Sequence, residues 1–104
     1  LIKNILVVLS SDPLKSDLYE QGIEVTLNLA DAEVSVEAYF EGEFLKALKE
    51  ASNDSIFYKK LKQINLYEVK CSSNDKALSL AEDFDLHLVN PKDYFSQFKK
   101  IVVF

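Results

Sequence analysis

One cysteine is the residue with the clearest potential for chemistry in this sequence. Cys71 is the single cysteine among 104 residues, and Ser72-Ser73-Asn74-Asp75 follows it. Ser72 and Asp75 fit the S-x-x-D pattern of a helix start, where the helix dipole and unpaired N–H groups favour a thiolate. Such a thiolate would be the reactive form of the cysteine. The ordinary alternative is a buried and inert Cys71, because free cysteines are among the most buried residues.

Other kinds of site lack the residues that they need. His87 is the single histidine, and it lies in the run Leu86-His87-Leu88, where an exposed or hydrogen-bonded sheet residue is the ordinary outcome. One histidine and one cysteine do not make a usual zinc site. Gly22 and Gly42 are the only glycines, so neither glycine-rich nucleotide motif occurs. We therefore expect no metal site and no cofactor.

Charge and composition restrict the partners of the chain. The net charge is −5, and all 12 basic residues are lysines, which disfavours direct binding of nucleic acid. The longest apolar run, residues 5–9, is far too short to span a bilayer. A single cysteine cannot form an internal disulfide, so we expect a cytoplasmic protein with no membrane segment.

Strands and helices alternate along the predicted secondary structure. The unbroken apolar run at the first strand, residues 3–9, predicts a central strand that is covered on both faces. Gly22 lies inside the first predicted helix, which indicates close packing there. The other predicted elements are a helix to about residue 30, a strand over 34–40, helices over 44–51 and 56–65, a strand over 66–71, a helix over 72–82, a strand over 84–89, a short apolar segment over 94–98, and a strand over 101–104.

This alternation predicts one α/β domain over residues 1–104, with a five-stranded, mainly parallel sheet in a three-layer α/β/α arrangement. In such sheets ligands bind at the carboxyl ends of the strands. Residues 10–12 and 71–74 are the predicted loops there. The receiver domain of response regulators has a similar order of elements. It requires an aspartate at the end of strand three, where this chain has Val69-Lys70-Cys71.

Several segments resemble the DsrE/DsrF-like family. Residues 39–44, YFEGEF, resemble the strand, glycine and phenylalanine junction of that family. Residues 61–71, LKQINLYEVKC, look like its helix, its Leu-Tyr strand start and its cysteine. Asn90-Pro91 and the final IVVF are similar to its closing elements. The Leu-Tyr pair and the Gly-x-Phe feature point to the DsrF or TusC branch.

The resemblance implies a sulfur-relay protein. It implies a subunit that forms homo-oligomers, or hetero-oligomers with DsrE-like and DsrH-like paralogues, and that works with sulfur donor and acceptor proteins. The pathway would be tRNA 2-thiouridine synthesis or the oxidation of stored sulfur. Two interpretations stay open. In the first, Cys71 is a catalytic residue that carries sulfur as a persulfide without a cofactor. In the second, the chain is a structural subunit and Cys71 is inert.

Overall fold

The computed structural model describes residues 3–52, 54–75 and 86–104. Five strands and four helices are described in this part of the chain, and a 3₁₀ helix, Lys62–Tyr67, follows the third helix. The strands are β1 (Lys3–Leu9), β2 (Val36–Phe40), β3 (Lys70–Ser73), β4 (Leu86–Leu88) and β5 (Phe98–Val103). The helices are α1 (Leu18–Asp31), α2 (Gly42–Glu50), α3 (Ile56–Leu61) and α4 (Pro91–Phe95).

The five strands form one sheet in the order β4-β3-β2-β1-β5. All four described strand pairs are parallel. The sheet thus confirms the predicted fold class, including the interior position of the apolar first strand. β1 lies between two parallel neighbours, and both of its faces are covered. A strand in this position is apolar without alternation.

Apolar layers cover both faces of the sheet. On one face Val7, Leu9 and Phe40 pack with α1, α2 and α3. On the other face Leu6, Val8 and Tyr39 pack against Tyr94 and residues beside it in α4. Successive side chains of a strand point to opposite faces, so one strand contributes to both layers. This arrangement is the predicted three-layer α/β/α sandwich.

Gly22 lies where α1 crosses the sheet most closely. A Cβ atom at this position would come within 2.3 Å of Leu9 Cδ2 and within 3.1 Å of Phe104 Cδ2. Real Cβ contacts are not that short, so no side chain fits without displacing these neighbours. The close packing predicted for this glycine is confirmed.

The region before β3 differs from the prediction. Leu66 and Tyr67, predicted as the start of a strand, belong to the 3₁₀ helix and are exposed. Glu68 then adopts a positive φ of 55°, and its N–H donates to the carbonyl of Asn65 at 3.2 Å. This turn closes the 3₁₀ helix, so β3 begins only at Lys70.

The predicted boundaries after β3 also change. Ser72 and Ser73 lie in β3 rather than at a helix start, and the Ser73 hydroxyl accepts the N–H of Asp75 at 3.1 Å. The rest of the predicted helix over 72–82 lies outside the described residues. The fourth strand is described from Leu86. The last strand begins at Phe98, three residues earlier than predicted.

Candidate functional site

Cys71 is the second residue of β3, so it lies within the sheet rather than at the end of a strand. Its register partners are Ala38 of β2 and Leu86 of β4. The residue is 2% exposed, and it belongs to the apolar layer between the sheet and α1–α3. Its Sγ atom lies 3.6 Å from the carbonyl oxygen of Val69. The prediction that Cys71 ends its strand was therefore wrong by two residues, because β3 continues to Ser73.

Burial controls the acidity of this thiol. Removal of Cys71 from water raises its pKa from the ordinary 9.0 to about 12, because a thiolate is poorly solvated in apolar surroundings. The sequence predicted the opposite direction from a helix N-terminus. At neutral pH the folded chain therefore holds Cys71 as the neutral thiol, which is the unreactive form.

A pocket of about 370 Å³ lies beside the amino end of β3. Asn65, Glu68, Val69, Lys70, Cys71 and His87 line it. His87 pairs with Ser72, and Cys71 pairs with Leu86. Because side chains alternate along a strand, the thiol and the imidazole point to opposite faces of the sheet. The structure brings both residues to one pocket but does not make them a nucleophile and its base.

The opposite face of β2 and β3 carries a polar cluster that sequence analysis missed. The Tyr94 hydroxyl donates to Glu37 Oε1 at 2.5 Å, and Ser72 Oγ donates to the Tyr94 oxygen at 3.4 Å. Lys70 Nζ lies 4.0 Å from Glu37 Oε1 and 5.8 Å from the centre of the Tyr94 ring. A carboxylate inside a strand, Glu37, was the available signal, but its partner is 57 positions away.

This cluster fixes α4 on the sheet. Burial, and then the hydrogen bond to Glu37, raise the pKa of Tyr94. Tyr94→Phe removes a charge-assisted hydrogen bond, and we expect it to lower the free energy of unfolding by about 1–3 kcal/mol. Urea denaturation measures this change. Tyr67→Phe is the matched control, because Tyr67 is exposed. Equal losses in the two variants would contradict a stabilising role for the Tyr94 hydroxyl.

The Cys71 thiol and the Tyr94 phenol together predict that the stability of the fold falls at alkaline pH. Folding raises the pKa of Cys71 from 9.0 to about 12 and raises that of Tyr94 above 10.0. The folded chain therefore holds these protons more tightly than the unfolded chain. Stability from Cys71 is fully present below pH 9 and is lost as the pH rises from 9 towards 12, by at most about 1.4 kcal/mol per pH unit.

Urea denaturation between pH 7 and pH 11 tests this dependence. We expect Cys71→Ala to lose less of its unfolding free energy above pH 9 than the wild type loses. Tyr94→Phe should flatten the curve as well, because it removes the second group. Parallel curves for the wild type and Cys71→Ala over the whole range would show that the thiol does not contribute.

The loop after β1 was the other predicted location for ligand binding, and its polar groups make structural contacts. The N–H groups of Ser10 and Ser11 donate to the carbonyl of Phe104 at 2.7 and 3.1 Å. The Ser10 carbonyl accepts the N–H of Phe44 at 3.2 Å. The Asp12 carboxylate accepts the N–H of Leu14 at 2.9 Å. The backbone bonds of Ser10 and Ser11 join the ends of β1 and β5 to the start of α2, and the Asp12 bond is local to the loop.

Within residues 3–52, 54–75 and 86–104, no group of three or more His, Cys, Asp or Glu side chains could hold a metal ion. No helix of this described part is long and apolar enough to cross a membrane.

The five-stranded parallel sheet with helices on both faces recurs among solved structures. One solved structure that shares it is the YchN protein from E. coli, with a TM-score of 0.69 at 10% sequence identity. The match covers 99% of this chain and 100% of that chain. No family model and no curated protein matches the sequence. At this identity the structural likeness shows the fold alone.

Proposed function

We propose that this chain is a non-catalytic subunit of a DsrE/DsrF-type sulfur-relay complex. The burial of Cys71 carries the proposal, because the one candidate sulfur carrier is 2% exposed and has a raised pKa. The sequence resemblance to the DsrE/DsrF-like family supports the sulfur-relay context, and a five-stranded α/β/α sheet is the fold that this resemblance implies. Sulfur then passes through cysteines of DsrE-like or DsrH-like partners, in tRNA 2-thiouridine synthesis or in the oxidation of stored sulfur.

Burial opposes two requirements of a sulfur carrier. The attacking group in thiol exchange is the thiolate, and its population falls as burial raises the thiol pKa. The incoming donor must also reach Sγ and leave a second sulfur atom there, whereas Cys71 packs in the apolar layer beside α1–α3. A buried cysteine of this kind acts as a small apolar side chain.

An exposed apolar surface between α1 and α3 supports a role in assembly. Leu14 and Ile56 are mostly exposed, and they line a pocket of about 430 Å³ together with Tyr19 and Phe57. Contiguous apolar side chains at a surface are typical of contacts with other proteins. In the proposed complex this apolar surface binds paralogous subunits or further copies of the chain.

The carrier interpretation remains the second candidate, because Cys71 lines the pocket beside β3. In that case a partner must expose the thiol and remove its proton. The Cys71 thiolate then attacks the outer sulfur of a donor persulfide, the S–S bond of the donor breaks, and the donor leaves as a thiolate. An acceptor thiolate later attacks the outer sulfur of the Cys71 persulfide, and Cys71 is released as a thiolate.

Co-expression with DsrE-like and DsrH-like subunits tests the proposal. We expect a mixed complex by size-exclusion chromatography with light scattering. We expect equal sulfur transfer to an acceptor thiol for complexes that contain wild-type chain, Cys71→Ala or Cys71→Ser. Two substitutions are needed, because a serine hydroxyl in an apolar layer can destabilise the fold on its own.

Intact mass after incubation with a sulfane-sulfur donor distinguishes the two candidates. A gain of one sulfur mass on the wild-type chain in the complex, absent from both Cys71 variants, would overturn the non-catalytic role and establish the carrier. A chain that stays an 11.8 kDa monomer with these subunits at micromolar concentration would contradict the role in assembly.

A further inference from the structure

The β5 strand forms one edge of the sheet. In the described part of the chain it pairs with β1 alone. It is six residues long and contains no proline, so a strand of ordinary length can pair along it. Edge strands of this kind are templates for pairing with another chain unless the protein protects them.

The direction of the backbone groups identifies the residues that form this edge. The N–H of Phe104 donates to the carbonyl of Val8 at 2.8 Å, and its carbonyl accepts the N–H of Ser10 at 2.7 Å. In a parallel ladder the groups that face one neighbour come from alternate residues. The N–H and carbonyl groups of Lys99, Ile101 and Val103 therefore point away from β1.

The side chains of the same residues leave apolar surface beside that edge. Ile101 is 38% exposed and Val103 is 62% exposed. Their register partners in β1 are Leu6 and Val8, which are buried on the α4 face of the sheet. A strand added to β5 would extend the sheet and cover Ile101 and Val103 with its own side chains on that face.

We propose that β5 binds an extended, acidic segment of a partner protein by strand addition. Lys99 and Lys100 are both exposed and lie on opposite faces of this edge, because successive side chains alternate. Carboxylates of an added strand can pair with one lysine on each face, while its apolar side chains cover Ile101 and Val103. This proposal goes beyond the sulfur-relay function and does not depend on it.

The charges favour such a partner over a second copy of the chain. Lysines on an edge strand oppose self-pairing, and two β5 edges would bring four lysines to one short contact. A segment with two or more carboxylates instead neutralises the lysines, and main-chain hydrogen bonds to the edge supply affinity.

Two synthetic peptides of equal length test the proposal. One has the sequence Thr-Glu-Glu-Val-Thr-Val-Thr, which places one glutamate on each face and both valines on the face of the first glutamate, and the other replaces both glutamates with lysines. We expect the acidic peptide to bind about ten-fold more tightly at low salt, measured by amide chemical-shift titration. At saturation the amides of Lys99, Ile101 and Val103 should exchange with solvent about ten-fold more slowly.

Charge reversal supplies the matched controls. The double variant Lys99→Glu/Lys100→Glu should prefer the lysine peptide, whereas Lys59→Glu/Lys62→Glu, with the same change in net charge, should keep the wild-type preference. Equal affinity for both peptides, or shifts confined to residues outside β5, would overturn the proposal. Concentration-dependent dimerisation that protects the β5 amides without any peptide would also overturn it, in favour of a second copy.

Discussion

Iodoacetamide is expected to alkylate Cys71 about 10³-fold more slowly in the folded protein at pH 7 than in the urea-unfolded chain. Folding raises the pKa of this thiol from 9.0 to about 12, and the reactive thiolate becomes rarer in proportion. The thiol is also 2% exposed, so the reagent reaches it with difficulty. Intact mass against time, with and without urea, measures the two rates.

A relocated cysteine controls for the effect of urea on the reagent. In the variant Cys71→Ala/Gln97→Cys the new thiol lies at an exposed position after α4, and it should react at similar rates in both conditions. Native labelling of Cys71 as fast as that of the unfolded chain would contradict the buried thiol. Faster native labelling would favour the carrier interpretation, for which the sequence predicted Cys71 at a helix N-terminus.

Phe44→Ala is expected to remove about 3–5 kcal/mol of the free energy of unfolding. Phe44 is fully buried at the start of α2, and its ring centre lies 5.6 Å from that of Phe40. The rings of Phe57 and Tyr19 lie 6.1 and 6.2 Å away. Truncation leaves a cavity among three aromatic rings that belong to three different elements, so the surroundings cannot easily collapse into it.

Urea denaturation with a matched truncation measures this loss. Leu66→Ala removes a large apolar side chain that is 80% exposed, and it should change the unfolding free energy by less than about 0.5 kcal/mol. Similar losses in Phe44→Ala and Leu66→Ala would contradict the central position of Phe44 in the core. A Phe44→Leu variant, which keeps most of the volume, should fall between them.

The sequence predicted the fold correctly where a residue pattern is compatible with only one local structure. Residues 5–9 are apolar without interruption, and only a strand covered on both faces requires that in an α/β protein. Leu66-Tyr67 is a different case. An apolar pair before a charged residue suits a strand, yet these side chains are exposed in a 3₁₀ helix. Glu68 adopts the left-handed conformation that ends this helix. Glycine is the usual residue in that conformation, so the residue type at position 68 did not predict the end of the helix.

Composition alone identified Cys71 as the candidate residue, but the sequence did not predict its position within β3. The environment of the thiol depends on where that strand ends. Two further residues in the strand, Ser72 and Ser73, move the thiol from a strand end to the interior of the sheet. The polar cluster around Glu37 and Tyr94 joins residues 57 positions apart, and no local pattern relates them. Tertiary packing decides both features.

β1 can pair with β5 only after β5 has been synthesised, so this pair is a late step in the assembly of the sheet. Ser10, just after β1, and Phe104, just after β5, are hydrogen-bonded across 94 positions of sequence. A ribosome needs about 5 to 20 s to add that many residues. For that time one edge of β1 stays unpaired, and the groove beside Gly22 lacks the ring of Phe104 that later fills it. The nascent chain is therefore most exposed to wrong pairing along its most apolar strand, which is the kind of segment that chaperones bind.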